Sequence, residues 1–522
     1  MPTVDDSLFY AWKPSVELVG KAISYLTACV LICVCVVGIS LYVVEGLSLL
    51  KSDEAGYGDS YILYDVLHFQ KTGNIYRDLS LPPYLPAQYS PVVYILYSVP
   101  GRIARWENPF VAPRLLAISA FLICVGIAGS IVHMLIPSRL GWVWGILLPF
   151  STRSMLDWIL QIRADFPGIA VSLLAIRLLL SEASWAVPLA GVCAGFAMQF
   201  KITFVAAGAA AALWLLAQKR WKDFIRFAVP AGLFSVGPYL LYFLREPRML
   251  QQMFALSPGI RNVTGNLELM DKAVVELVIL LALVGLTSVQ CRMWPKGALV
   301  LLFAATSFLV AGFAGMQAGG NINYYFELFF AVVPIAVLGV FRLLELARSS
   351  ALPGLALTSV LVIHLLAPMA LQLYANIGLL RSGWINSNNA QLEQLEHALA
   401  GHRFFSTVPR LALLDPEPPL MEPYLLTYLH RLGKVDLGPF VEPIRRNEYD
   451  VVITSDSPDS WRGIGHVDPA LREAIAGSYS PHCKFRNWLF HLPNRVQPDG
   501  SALTQELRKI GCAAPVSAGT NW

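Results

Sequence analysis

Charge is what this sequence has least of. Only 14% of its 522 residues are Asp, Glu, Lys or Arg, where a soluble domain carries about 25%. The deficit is uneven: charge is scarce from Ala22 to Tyr374 and common again from Gln391 onward. That excludes a soluble globular fold for most of the length and implies a membrane region followed by a soluble tail. No block of consecutive Lys or Arg reads as a basic arm, so no nucleic-acid partner is expected. The N-terminus lacks a cleavable signal pattern. Residues 1–19 are polar, and the first apolar run, 22–44, is too long for a signal core and has no small-residue cleavage site. It reads as a retained first transmembrane helix. There are no convincing internal repeats.

Cysteine is sparse as well, and Cys33 and Cys35 are too close in sequence, and in the wrong setting, for a zinc site. Cys29, Cys33, Cys35, Cys124 and Cys193 lie in apolar runs, where Cys acts as a small hydrophobe. Cys483 and Cys512 are in the tail. An oxidising compartment would let them pair; two free thiols are the equally open alternative.

What is present is a series of apolar runs: 22–44, 89–103, 113–136, 140–150, 166–180, 184–199, 202–217, 224–244, 273–289, 298–315, 325–341 and 351–373. Several are shorter than the ~20 residues of a straight span. Basic clusters in the short loops orient them. Arg102, Arg105 and Arg114 mark one cytoplasmic loop; Lys219, Arg220, Lys222 and Arg226 mark another; Arg292 with Lys296, and Arg342 with Arg348, mark two more. These put 245–272, 319–323 and the tail outside. The run 140–150 breaks the alternation, so it is expected to enter and return, or to join 151–162 as a broken element.

The expected fold is thus an all-α polytopic membrane protein of about eleven transmembrane helices plus a short re-entrant or broken helix. The N-terminus is cytoplasmic and the C-terminus extracytoplasmic. Residues 1–381 form the membrane domain, with an outer loop at 46–88. Residues 382–522 form a small α/β extracytoplasmic domain, with helical periodicity at 391–399 and short strands at 411–414, 450–454 and 486–491.

Ionisable residues at a membrane boundary are expensive and tend to be functional. Four groups fall on the same predicted side. Asp53 and Glu54, followed by Tyr57, can bind a cation or act as a base; a solvated loop start is the plain alternative. Arg163 and Asp165 open a helix, where a carboxylate also serves as a cap favoured by the dipole. Lys201 lies between two runs with almost no loop, so it either holds an anion as a point charge or snorkels to the interface. In Gly319-Gly320-Asn321-Ile322-Asn323-Tyr324-Tyr325-Phe326-Glu327, Asn and Tyr are common sugar contacts; a tight turn with an aromatic belt is the alternative.

Taken in order, these elements resemble the polytopic (GT-C type) glycosyltransferases that use polyprenyl-phosphate sugars, in the bacterial branch near the protein O-mannosyltransferases and lipid A aminoarabinose transferases. Asp53-Glu54-x-x-Tyr57 is similar to the acidic motif of the first outer loop. Tyr89-Ser90-Pro91-Val92-Val93-Tyr94 resembles the start of the second helix, with Ser90 where Pro is usual. Arg163-Ala164-Asp165, Lys201-Ile202-Thr203 and Gly320-Asn321-Ile322-Asn323-Tyr324 with Glu327 resemble three later motifs. The likeness covers about 22–373.

The resemblance implies transfer of a sugar from a polyprenyl-phosphate donor to an acceptor of unknown identity on the non-cytoplasmic face, with inversion, in a bacterial inner membrane. It implies Asp53 as base, with Glu54 raising its pKa or binding a cation. Asp165 orients the acceptor or shares a divalent metal with Asp53. Arg163 and Lys201 hold the donor phosphate, and Tyr57, Asn321, Asn323, Tyr324 and Glu327 contact sugar or acceptor. A secondary transporter is the competing reading. Transporters usually show repeats and polar residues near the midplane; here the acids sit at one face.

Overall fold

The computed structural model describes residues 58–79, 81, 85–103, 108–181, 183–253, 263–317, 320–349, 384–408, 410–411, 423–455, 468–486, 488–495 and 502–512. The apolar runs 22–44 and 351–373 lie outside these residues, as do Asp53, Glu54, Tyr57 and Gly319. In chain order the helices are α1 (Asp59–Thr72), α2 (Pro91–Ile103), α3 (Val111–Leu135), α4 (Arg139–Leu147), α5 (Arg153–Trp158), α6 (Asp165–Leu179), α7 (Ala186–Ala197), α8 (Ala206–Ala217), α9 (Trp221–Arg245), α10 (Arg248–Met253), α11 (Val263–Met293), α12 (Pro295–Ala314) and α13 (Phe326–Ser349). Short 3-10 turns occupy Leu148–Ser151, Ile202–Val205 and Ile322–Tyr325. Among the described residues, Val111–Leu135, Trp221–Arg245, Pro295–Ala314 and Ile322–Arg342 are long and apolar enough to cross a bilayer.

Local chemistry accounts for how these helices meet. Gly191 and Gly195 on α7 are four residues apart, on one face. A side chain on either would collide with the backbone of α9 at Phe227 and Ala231. Small residues at this spacing let two helix backbones touch, which drives association where lipid supplies no hydrophobic force. Pro238 interrupts α9, and a proline frees the carbonyl four residues before it. That carbonyl, of Phe234, accepts from Gln199 Nε2 at 3.0 Å, and the Ser235 carbonyl accepts from the same amide at 2.7 Å. The opposite face of α9 exposes Leu233, Val236, Leu241 and Leu244, a lipid-facing stripe. Gly195→Leu is therefore expected to part α7 from α9. Overpacking costs about 1–3 kcal/mol or more, and the check is a lower melting midpoint, or loss of the monodisperse species, in detergent.

Two sequence expectations are decided by these contacts. The first concerns α2, expected as a crossing that ends in a cytoplasmic Arg102–Arg114 loop. It has 13 residues. It lies alongside α1: Gln70 Nε2 donates to the Ser98 carbonyl at 2.8 Å, and the Arg102 guanidinium sits 5.0 Å from the Phe69 ring centre. Its far end stays on the side of its start, because Arg114 and Arg163 share one carboxylate, that of Asp59. Arg114, read from sequence as an orientation signal, is a buried partner of Asp59. Arg105 lies outside the described residues.

The second concerns 140–150, where of the two alternatives the broken element joined to 151–162 is the one found. Helix α4 runs back along α3, with Gly145 against Gly129 and Val132. The chain continues through Leu148–Ser151 to the level of Phe121, whose ring meets Phe150 edge-on at 5.4 Å. It then passes through α5 to Arg163. This is one broken passage, and it does not return on itself. The break falls at Pro149, which sits in the 3-10 turn.

The tail builds a four-stranded sheet in the order β1-β2-β4-β3 from β1 (Phe404–Ser406), β2 (Val451–Ser455), β3 (Tyr479–Phe485) and β4 (Trp488–Pro493). β1 and β2 are parallel; the other pairs are antiparallel. The helices are α14 (Trp384–Leu399), α15 (Pro423–Arg431), α16 (Gly438–Arg445), α17 (Pro469–Ser478) and α18 (Ala502–Lys509). Strand alternation sends Phe405 and Val452 into one core with Leu429, Phe440 and Leu471. Phe404, Val451 and Ile453 go into another with Leu399 and Leu507. The strand expected at 411–414 is absent at Leu411, which lies in a tight turn, and 412–414 fall outside the described residues. β3 escaped notice because a register shift between Pro481 and Cys483 breaks its period.

Cys483 and Cys512 form a disulfide, their Cα atoms 5.6 Å apart. Of the two open alternatives, the pair is the one found. His491, buried in the sheet, exchanges a 2.9 Å hydrogen bond with Thr454; burial holds its imidazole down at about 4. The tail rests on the α1 layer. The Tyr61 hydroxyl donates to the Thr407 carbonyl, and the Arg410 guanidinium sits 5.7 Å from the Phe110 ring centre.

Candidate functional site

The charged groups meet where short helices end. Helix α6 has 15 residues and so rises about 22 Å, short of the ~30 Å of a bilayer core. Asp165 at its first position is therefore recessed. The α7–α8 junction brings Lys201 to the same depth, and the 3-10 turn before α13 brings Asn323. Lys201 Nζ lies 3.3 Å from Asp165 Oδ1. Asn323 Nδ2 donates to both Asp165 oxygens, each at 3.1 Å. The Tyr324 ring covers the ammonium, its centre 3.7 Å from Nζ.

A second carboxylate, Asp59, is the hub of an adjoining cluster. Gly58, at φ 88, makes the left-handed turn that opens α1 on Asp59. Asp59 accepts from the Ile162 N–H at 3.2 Å. Arg163 Nε stands 3.8 Å away and Arg114 Nη2 3.9 Å away. Arg114 stacks on Phe110 at 4.5 Å and Arg163 on Trp158 at 5.6 Å. The Tyr97 hydroxyl donates to the Arg163 carbonyl at 2.7 Å.

The electrostatics of the two clusters are asymmetric. Asp59 and Arg114 have no exposed side-chain surface and Asp165 has 2%, whereas Arg163 keeps 17% and Lys201 16%. The anions are sealed in and two cations face the opening. Among the described residues, two carboxylates stand against three cations.

The layer above is latched to the ends of α9 and α10. The Glu246 carboxylate accepts from the Ile75 and Tyr76 N–H groups at 2.9 and 2.8 Å, Gln252 accepts from Ala87 N–H at 2.8 Å, and Arg248 pairs with Asp78 at 2.8 Å. Within the layer Arg77 pairs with Asp65. Burial pushes the Asp65 carboxyl up to about 6 against the pull of Arg77.

Of the residues singled out from sequence, Arg163, Asp165, Lys201, Asn323 and Tyr324 come together. Asn321 does not join them; it is exposed and its side chain caps the 3-10 turn by accepting from the Ile322 N–H at 2.7 Å. Glu327 lies one turn deeper, buried and facing Ser172. Asp53, Glu54 and Tyr57 lie outside the described residues. Sequence reasoning missed Asp59, Arg114 and Tyr97 as members of the site. Asp59 was one acid among several in a loop, and Arg114 looked like an orientation signal.

A divalent metal was tested against these contacts. Both oxygens of Asp165 face donors, an ammonium and an amide. No group of three His, Cys, Asp or Glu that would suit a metal occurs among the described residues. Asp165 as it stands does not fit the part of a metal ligand.

No protein-family model and no curated protein matches the sequence. Solved structures do resemble this one. ArnT from Cupriavidus metallidurans in the apo state superposes with a TM-score of 0.61 at 14% identity, over 88% of this chain and 97% of that one. The same protein bound to undecaprenyl phosphate gives 0.59 at 12% identity over the same shares. The oligosaccharyltransferase of Archaeoglobus fulgidus gives 0.49 at 10% identity, over 88% of this chain and 74% of that one. At these identities the likeness is one of fold, and it runs along nearly the whole of ArnT.

Proposed function

We propose that this chain is an integral membrane glycosyltransferase that moves a sugar from a polyprenyl-phosphate donor to a glycan, lipid or protein acceptor on the non-cytoplasmic face. The observation that carries the reading is the recessed opening lined by Arg163 and Lys201, with their counter-charges buried behind them. Two partly exposed cations side by side suit a lipid phosphate better than a neutral solute. The fold shared with ArnT, which has been solved with undecaprenyl phosphate bound, favours the same donor class.

In the reaction an acceptor oxygen or nitrogen attacks the anomeric carbon, and the bond from that carbon to the phosphate oxygen breaks. The electron pair leaves with the polyprenyl phosphate, and the acceptor proton goes to a base. Inversion follows from a single displacement. Arg163 and Lys201 stabilise the charge that grows on the leaving phosphate. Asp165 positions Lys201 and Asn323, and Asn323 with Tyr324 lines the sugar side. Asp53 is the proposed base with Glu54 beside it.

The topology proposed for this activity has eleven crossings. These are 22–44, α3, the broken passage α4–α5, α6, α7, α8, α9, α11, α12, α13 and 351–373, with α1 and α2 lying at the surface. The N-terminus is then cytoplasmic. Site, outer loop and tail face out, in agreement with the Cys483–Cys512 disulfide, which belongs in an oxidising compartment. A bacterial inner membrane is the proposed location, with residues 1–381 and 382–522 as the two domains.

The test is release of sugar from a panel of polyprenyl-phosphate sugars by purified full-length protein, wild type against Asp53→Asn. Loss of turnover by about 10²-fold or more in the variant, at unchanged folding, is expected. No turnover with any donor, together with solute uptake into liposomes, would replace this reading with a transporter.

A further inference from the structure

Glu276 interrupts the apolar run 273–289, where an acid is expensive and tends to be functional. The site described above does not use it. From α11 its carboxylate reaches the first turn of α5. The Ser154 hydroxyl donates to Oε1 at 2.5 Å and the Ser154 N–H donates to Oε2 at 3.2 Å.

Helix α5 has six residues. A helix that short is not stable alone, and the N–H groups of its first turn have no partner within it. Thr152, which precedes it, makes no side-chain cap. The cap comes instead from another helix. One turn further on, on the same face as Ser154, α5 carries Trp158. Its ring meets Phe326 edge-on at 5.6 Å, and the Arg163 guanidinium lies 5.6 Å from its centre. Phe326 in turn stacks on Phe166, the residue after Asp165, at 5.9 Å. The ion pair of Arg163 with Asp59, at 3.8 Å, is longer than a hydrogen bond. Such a pair does not fix the plane of a guanidinium; a ring against its face does.

We infer that Glu276 is a positioning residue for the lipid phosphate: by capping α5 it sets Trp158, and Trp158 sets the plane in which Arg163 meets the phosphate. The inference rests on the donor class proposed above. The same helix also holds the turn that carries Asn323 and Tyr324, because the Tyr325 hydroxyl donates to Asn266 Oδ1 at 3.3 Å. Helix α11 thereby sets the surroundings of both cations.

The experiment is binding of sugar-free undecaprenyl phosphate to the full-length protein in nanodiscs, with thermal unfolding recorded for every variant. Wild type binds and Arg163→Ala weakens binding if the donor class is right. Glu276→Ala should weaken binding about ten-fold, within the reach of a small misplacement of a charged group. Glu276→Gln, which keeps an acceptor for Ser154, should recover part of the loss, and Ser154→Ala should reproduce part of it. In an Arg163→Ala background Glu276→Ala should cost nothing further, whereas in a Lys201→Ala background it should cost the same factor as in wild type. A merely structural acid would weaken both backgrounds alike. If Glu276→Ala yields no folded protein, Ser154→Ala carries the same comparison. A loss that adds in full to that of Arg163→Ala, or Glu276→Ala binding as wild type while Arg163→Ala is impaired, overturns the role of Glu276 and leaves the donor class standing. A wild type that does not bind the lipid phosphate overturns both.

Discussion

Lys201→Ala is expected to lower turnover of the lipid-linked sugar by about 10²–10³-fold, the usual cost of removing one stabiliser of developing charge. The protein should remain folded. Asp165 keeps its amide donor, since Asn323 bonds both of its oxygens at 3.1 Å, and the 16% exposure of the Lys201 side chain lets water replace the ammonium. Lys201→Arg is not expected to rescue. The ammonium fits between an Asp165 oxygen at 3.3 Å and a Tyr324 ring at 3.7 Å, a slot for a point charge and too narrow for a planar fork. Asp165→Asn should give a milder loss that shows in the donor KM, because Lys201 keeps its charge and loses its orientation. Initial rates against donor concentration separate the two effects. Equal activity in Lys201→Ala and wild type would remove the leaving phosphate from this site.

What the sequence made legible follows from what is local. Arg163, Asp165, Lys201 and Asn323 stood out because charge and amide are rare in an apolar chain and each lies at the end of an apolar run. Run lengths placed α3, α6, α7, α8 and α12 within a few residues. The pairing behind the site is not local. Asp59 meets Arg114 and Arg163 across 55 and 104 positions, and no periodicity encodes that. The same blindness applies to Arg114: an exposed arginine and a buried, ion-paired one read alike in sequence. Glu246 was likewise invisible, since its role is to bind two backbone amides of a distant loop. In the tail, β1 has only three residues, too few for alternation to register.

The second large effect is on stability. Asp59→Asn should cost about 3–5 kcal/mol, the range for breaking a buried ion pair by removing one partner. The reason is what stays behind. Arg114 has no exposed side-chain surface and Arg163 only 17%, so both guanidinium groups would lose a nearby counter-charge, Arg114 in a place that water does not reach. Most of the protein should then fail to emerge as a single species from detergent, and what does emerge should melt well below wild type. Adding Arg114→Met removes one of the stranded charges and replaces it with an apolar chain of similar length. The double variant is therefore expected to recover part of the midpoint, a coupling that a double-mutant cycle reads directly. Arg114→Met alone should be less harmful than Asp59→Asn, because Asp59 keeps Arg163 and the Ile162 N–H. If Asp59→Asn melts with wild type, or the two changes simply add, then the charges are not holding one another and α1 is fastened to α3 and α6 by packing alone.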